Sequence, residues 1–141
     1  MTDIQHKDAP TTVAGPVQLR LPADPAMPRV VRLTASALAS LCEFSIDDID
    51  DVKIAVSEVL IALVEHGAGH PVDITFEVDE RGFQIDATTE APDFRADDPD
   101  LHLCRTVLAS VCSFHDVRRV GDLARIRAVV ARLPQADDRD R

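Results

Sequence analysis

The sequence predicts an α+β fold, a two-layer sandwich with helices on one face of a mostly antiparallel sheet. Two pairs of alternating apolar and polar runs are each joined by a short turn-forming segment, the pattern of a hairpin. Residues 45–67 carry apolar positions at helical spacing. The predicted elements run β-α-α-β-β-loop-α-β-β, with strands grouped rather than alternating singly with helices.

Each element has its own local warrant. "VQLRLPA" (17–23) alternates like a short strand. A helix can start at Asp24–Pro25 or at Pro28, because proline is tolerated in a first turn. Val30, Val31, Thr34, Ala37, Leu38 and Leu41 are its expected buried face. After the break "CEFS", Ser45 and Asp48 resemble a capping box, and Asp47, Asp48, Asp50 and Asp51 suit the positive end of a helix dipole. Ile49, Val52, Val56, Val59, Leu60 and Leu63 then form a stripe that stops at "HGAGHP". "VDITFEV" (72–78) and "FQIDATT" (83–89) make a hairpin around "DERG", where Gly82 can take a positive φ. An acidic loop (90–100) precedes a helix over 101–112. "SFHDVRRV" (113–120) and "LARIRAVVARL" (123–133) close the domain as a second hairpin. The polar segments 1–15 and 134–141 are expected to be disordered tails around one domain, 16–133.

Composition narrows the function. The chain has 141 residues, enough for one domain with a real core, and only 4% aromatic residues, so that core should be aliphatic. A net charge of -10 opposes binding to nucleic acid or to an anionic membrane. The N-terminal segment has no apolar signal-peptide core, and "VLIALV" is too short to span a bilayer. Cys42, Cys104 and Cys112 form no CxxC pair, which fits a reduced protein. The expectation is a cytoplasmic protein.

Glu58 is the acid set deep in the apolar half of the long helix, and one turn later, at the same face, stands Ala62. The element order and "FSIDDIDDVKIAVSEVLIALVEHG" (44–67) resemble the anti-sigma-factor serine kinases, small members of the GHKL superfamily with a histidine-kinase-like, Bergerat-type ATPase fold. The resemblance runs from about Val17 to Leu133. It implies a pocket for Mg·ATP, phosphorylation of an anti-anti-sigma protein, and alternative binding of a sigma factor. By this resemblance Glu58 is the catalytic residue, the general base. Glu58, Ala62, His66, Thr89, Ala91 and Asp93 are the nucleotide-pocket positions.

At those positions the chain departs from the family. The residue one turn after the Glu is a magnesium-ligating Asn in the family; here it is Ala62, whose methyl cannot ligate, and the chain has no Asn. The Asp-x-Gly-x-Gly box aligns with Thr89, Ala91 and Asp93. The Gly-rich phosphate loop aligns with "DDPDLHLCRT", which brings Pro99 and the carboxylates Asp97, Asp98 and Asp100. No Gly occurs between Gly82 and Gly121. Two like charges about 4 Å apart repel by about 4 kcal/mol at an effective dielectric near 20, which opposes triphosphate binding.

Other motifs have plainer accounts. Glu58 can be a helix carboxylate paired with Thr88, Thr89 or an Arg. His66 and His70 have HxxxH spacing, but the helix ends between them, so no metal site is expected. The acids of residues 90–100 lack calcium-loop spacing and are expected to be solvated. Arg118, Arg119, Arg125, Arg127 and Arg132 could meet an acidic partner or the chain's own acidic loop.

The expectation is therefore a degenerate, pseudokinase-like regulator of transcription that acts by protein binding, with a sigma factor or an anti-anti-sigma protein as partner and a homodimer possible. Its partner-facing surface would include "VQLRLPA", Arg29, Arg32 and residues 28–42. No cofactor is expected. The alternatives are an active serine kinase using Mg·ATP in a non-standard pocket, and a small-molecule sensor using the old nucleotide pocket.

Overall fold

The computed structural model describes residue 13 and residues 15–133; the tail expectations at 1–15 and 134–141 fall almost wholly outside the described residues. The elements are β1 (Val17–Leu21), α1 (Met27–Leu41), α2 (Ile46–His66), β2 (Val72–Asp79), β3 (Gly82–Glu90), α3 (His102–Val111), β4 (Phe114–Val120) and β5 (Leu123–Val130), with one 3-10 turn at Pro99–Leu101 before α3. The order is the one read from the sequence.

All strand pairs are antiparallel, in the order β1-β2-β3-β5-β4. Asp79 pairs with Gly82 and Val120 with Leu123, so both hairpins have two-residue turns. Gly82 has φ 130°, and a Cβ there would lie 2.1 Å from the Val130 carbonyl oxygen, so only glycine fits.

The inner face of the sheet buries Val72, Ile74, Phe76, Phe83, Ile85, Ile126 and Val130 beneath the helical layer, with α2 over β2, β3 and β5, α3 against β4 and α1 packed on α2. The core is mostly aliphatic, as the composition implies, but a Phe cluster sits inside it. Phe83 stacks edge-on to Phe44 at 6.1 Å and lies 5.2 Å from Phe76. Among the described residues, no helix covers the outer face of the sheet.

Three sequence readings are corrected. The buried face of α1 is Pro28, Val31, Ala35, Leu38 and Ala39, while Val30 and Leu41 are exposed. α1 is apolar on two sides, and the side with alanines allows close packing. β5 ends at Val130 rather than reaching Leu133; there Arg132 turns to donate to the Cys42 carbonyl at 2.8 Å and stacks over Phe44. The capping box is half formed. Ser45 accepts from the Asp48 amide at 3.1 Å, but the buried Asp48 carboxylate accepts instead from the Leu133 amide, also at 3.1 Å.

Candidate functional site

α2 places the site. Its Val52, Val56, Leu60 and Leu63 are buried, which fixes the helix rotation and turns Glu58 to the shoulder beside α3. Cys104 of α3 packs there, its thiol 3.8 Å from the Glu58 backbone carbonyl. Burial raises the Glu58 carboxyl above its ordinary range, and the negative charge of Glu65 pushes it the same way.

The expected partner of Glu58 is not found. Among the described residues no group hydrogen-bonds its carboxylate. Thr89, one of the candidates named from the sequence, is buried and donates instead to the carbonyls of His70 and Pro71, at 3.2 and 3.0 Å. Gly67 explains how β3 comes so near the end of α2: a Cβ on it would lie 3.3 Å from the Thr89 Cγ2. Ala62 is buried and offers only a methyl on the Glu58 side of the helix.

The remaining pocket positions lie in the segment after β3. Ala91 is buried, and its amide donates to the Asp122 carbonyl at 2.8 Å. Asp93 is exposed. Phe94 and Leu101 anchor the segment in the core. Arg119 donates to the Pro92 carbonyl at 2.9 Å, and Arg105 donates to the Ala96 carbonyl.

At the start of the 3-10 turn, Asp98 caps its own chain: its carboxylate accepts from the Asp100 amide at 2.9 Å. The other oxygen of Asp98 lies 3.7 Å from His66 Nδ1, while His70 faces Glu90 at 3.6 Å. The two histidines thus face different carboxylates and form no shared site. Among the described residues, no group of three or more His, Cys, Asp or Glu is placed to hold a metal ion.

The α2–α3 seam is chemically quiet. Burial, with the Glu58 charge adding to it, pushes the Cys104 thiol up to about 11, and burial pushes Cys112 up to about 12. Neither is a thiolate at neutral pH, so neither is a nucleophile.

Arg29 and Arg32, read from the sequence as partner-facing, line a second feature whose groove shape and α2 wall were not read from it. On the outer side of the helical layer two depressions, of about 620 and 550 Å³, share Arg32 and Ile61. Glu58, Lys53 and Ile54 line the first; Arg29 and Val30 line the second. Arg32 donates to the Ser57 hydroxyl at 3.2 Å and so joins α1 to α2 across the groove. The two residues are 25 positions apart, and no local signal links them. Three cations of the C-terminal hairpin meet strand acids: Arg125 grips Asp86, and Arg118 and Arg127 converge on Asp116, while Arg119 reaches the acidic loop at the Pro92 carbonyl.

Known proteins place this geometry. Residues 21–115 match the family described as histidine kinase-like ATPase domain. The serine-protein kinase RsbW of Bacillus subtilis is 33% identical over 85 residues, 57% of this chain and 53% of that protein. RsbW of Halalkalibacterium halodurans is 32% identical over 83 residues, 57% of this chain and 51% of its own. RsbW of Bacillus licheniformis is 42% identical over 65 residues, 46% of this chain and 39% of its own. The chain thus spans about half the length, or less, of the relatives it matches. The crystal structure of the RsbU and RsbW domains of a Mycobacterium tuberculosis protein overlays on 84% of this chain and 32% of that one, with TM-score 0.66 at 13% identity, a likeness of fold. No described helix is long and apolar enough to cross a membrane. The resemblance to the anti-sigma-factor serine kinases is borne out at the level of family, and the chain belongs to the histidine kinase-like ATPase domain family.

Proposed function

We propose that this protein regulates transcription by binding a partner protein, a sigma factor or an anti-anti-sigma protein, and that it has lost Mg·ATP binding and phosphoryl transfer. The observation that carries the reading is the self-capping of Asp98. In the family the amides before α3 cradle phosphate; here the amide of Asp100 is held by a carboxylate of the chain itself. Pro99 has no N–H to offer. Asp97 and Asp100 add negative charge at the same turn.

The other positions support the same reading. Ala62 brings no oxygen for magnesium. Thr89 puts a buried neutral hydroxyl, its proton already given to backbone carbonyls, where the family's carboxylate accepts from the adenine amino group, and so leaves a weaker acceptor. These residues do not fit Mg·ATP. Glu58 without a metal or nucleotide beside it is a general base with nothing to act on.

The groove between α1 and α2 is the partner surface that fits. It sets the cations Arg29, Arg32 and Lys53 against the acids Asp50 and Glu58, one positive charge over, beside apolar Val30, Ile54 and Ile61, the mixture protein interfaces use. A helix of a partner with acidic and apolar residues would match it.

The test has two arms. Melting is followed with millimolar Mg·ATP or Mg·ADP, and affinity for candidate sigma and anti-anti-sigma proteins is measured by calorimetry. The expected result is no nucleotide shift, partner binding without nucleotide, and weaker binding by Arg29→Glu and Arg32→Glu. A nucleotide at 100 times its dissociation constant would add about 2.7 kcal/mol, a shift of several degrees. Such a shift would overturn the loss of ATP binding; absence of any partner binding would overturn the regulatory reading.

A further inference from the structure

The outer face of the sheet, away from Glu58 and from the α1–α2 groove, holds a cavity of about 650 Å³ at its β3–β5–β4 side. This lies within the 300–1,000 Å³ of ordinary small-molecule sites. Its walls include Arg81, Gln84, Phe114, Arg127, Val129 and Ala131. The strand register explains the assembly. Gln84, Val129 and Phe114 lie in one row across the three strands, and Asp86, Arg127 and Asp116 lie in the next.

Arg127 is the under-paired group in this wall. Its Nε is buried and has no acceptor among the described residues. Its carboxylate, Asp116, is 3.6 Å away and already takes a 2.6 Å bond from Arg118. That bond and charge hold the Asp116 carboxyl below its ordinary range. The remaining contact of Arg127 is the Phe114 ring, 5.7 Å from its guanidinium carbon. A buried donor without an acceptor is under-satisfied, so an acceptor brought to this guanidinium supplies a bond that the fold does not.

The charge around the cavity selects the ligand class. The charged groups that line the cavity itself are Arg81, Arg127 and Asp86, which leaves a single positive charge over, with Asp79 and Asp116 beside the two cations. One monoanion neutralises it, whereas a phosphate dianion would bring excess negative charge beside three carboxylates. Guanidinium pairs bidentately with carboxylate and with phosphate alike, so charge makes the choice between them. Phe114, Val129 and Ala131 add an apolar wall beside the cation.

We infer that this cavity binds a small organic monocarboxylate, its carboxylate on Arg127 and its apolar or aromatic body against Phe114 and Val129. The site is independent of the partner-binding groove and of the family's nucleotide pocket.

The test is titration of the isotopically labelled full chain with benzoate, benzamide and inorganic phosphate, followed by amide chemical shifts. Benzoate should give saturable shifts confined to residues near 84–86, 113–116 and 127–131. Benzamide and phosphate should bind at least about tenfold more weakly, the 1.4 kcal/mol step that a charged pair readily supplies. Arg127→Gln should weaken benzoate by a similar factor. Val129→Phe should do so by filling the cavity while every charge is kept, which covers the case where Arg127→Gln disturbs the sheet. No saturation, equal binding of benzamide or phosphate, shifts centred elsewhere, or unchanged affinity in Val129→Phe would each overturn the inference. So would saturation of the same residues by an extended Glu-containing peptide with no response to benzoate, which would make the face a protein contact.

Discussion

The two ends of α2 are held in opposite ways. At the N-terminal end, Ser45 caps the Asp48 amide, the buried Asp48 carboxylate takes the Leu133 amide, and Arg132 covers Phe44 at 4.3 Å while bonding the Cys42 carbonyl. At the C-terminal half, Glu58 has no bonded partner among the described residues, and the histidines face carboxylates at 3.6 and 3.7 Å, beyond good hydrogen-bond reach. The first end closes the chain upon itself, with the segment after β5 strapped over the α1–α2 junction. The second end leaves its polar groups free for contacts outside the fold. Along a single helix, an end whose polar groups the fold uses stands against an end whose polar groups it leaves unpaired, and this contrast can be broken experimentally.

The largest effect belongs to the closed end. Asp48→Ala removes a charged acceptor from the Leu133 amide and should destabilise by about 1.5–3 kcal/mol, the range for hydrogen bonds to charged groups. The measurement is the urea midpoint. Asp48→Asn keeps an acceptor oxygen and should recover most of the loss, missing chiefly the about 0.3–1 kcal/mol of a carboxylate in the first turn of a helix. If both variants are as stable as the parent, the strap contributes nothing and the comparison fails.

How much of this was legible in the sequence follows the range of the interactions. α2 was legible because its signals are local: a Ser cap, an acidic first turn, an apolar stripe and a Gly stop. The hairpins were legible for the same reason. The rotation of α1 was not, because Val30, Leu33 and Leu41 outside compete with Val31, Ala35 and Leu38 inside, and only packing chooses between them. Leu133 continues the alternation of β5, yet Arg132 leaves the strand for a carbonyl 90 positions away. The position of Glu58 was legible from helical spacing, but its lack of a partner depends on Thr89 turning to His70 and Pro71. The self-capping of Asp98 does have a local signal, an Asp directly before Pro99. Reading the segment only as solvated acids passes over it.

The middle effect lies at Glu58. Its folded carboxyl titrates above the ordinary 4.5, so between those two values the folded state binds more protons than the unfolded one. Stability therefore falls as pH rises through that window, and above it the ionised carboxylate is a standing cost. Glu58→Gln should melt higher than the parent at neutral pH, with the advantage vanishing as pH drops below 4.5. A parent more stable than the variant at neutral pH would mean that the carboxylate is paired, and the open end of α2 would not be open.

The smallest effect tests the loosest contact. His66→Gln removes the pair with Asp98, both partly exposed, and should cost no more than about 1 kcal/mol. Global melting will barely register it. The local consequence is sharper, because Asp98 is also the cap of the Asp100 amide. If His66 helps to orient that carboxylate, the Asp100 amide should exchange with solvent faster in the variant while the amides of α2 are unchanged. Equal exchange would mean that the turn before α3 is held by its own Asp–Pro–Asp chemistry and by Leu101 in the core. The C-terminal end of α2 would then be still freer than the geometry implies, and His66 would join Glu58 among the groups that the fold itself does not use.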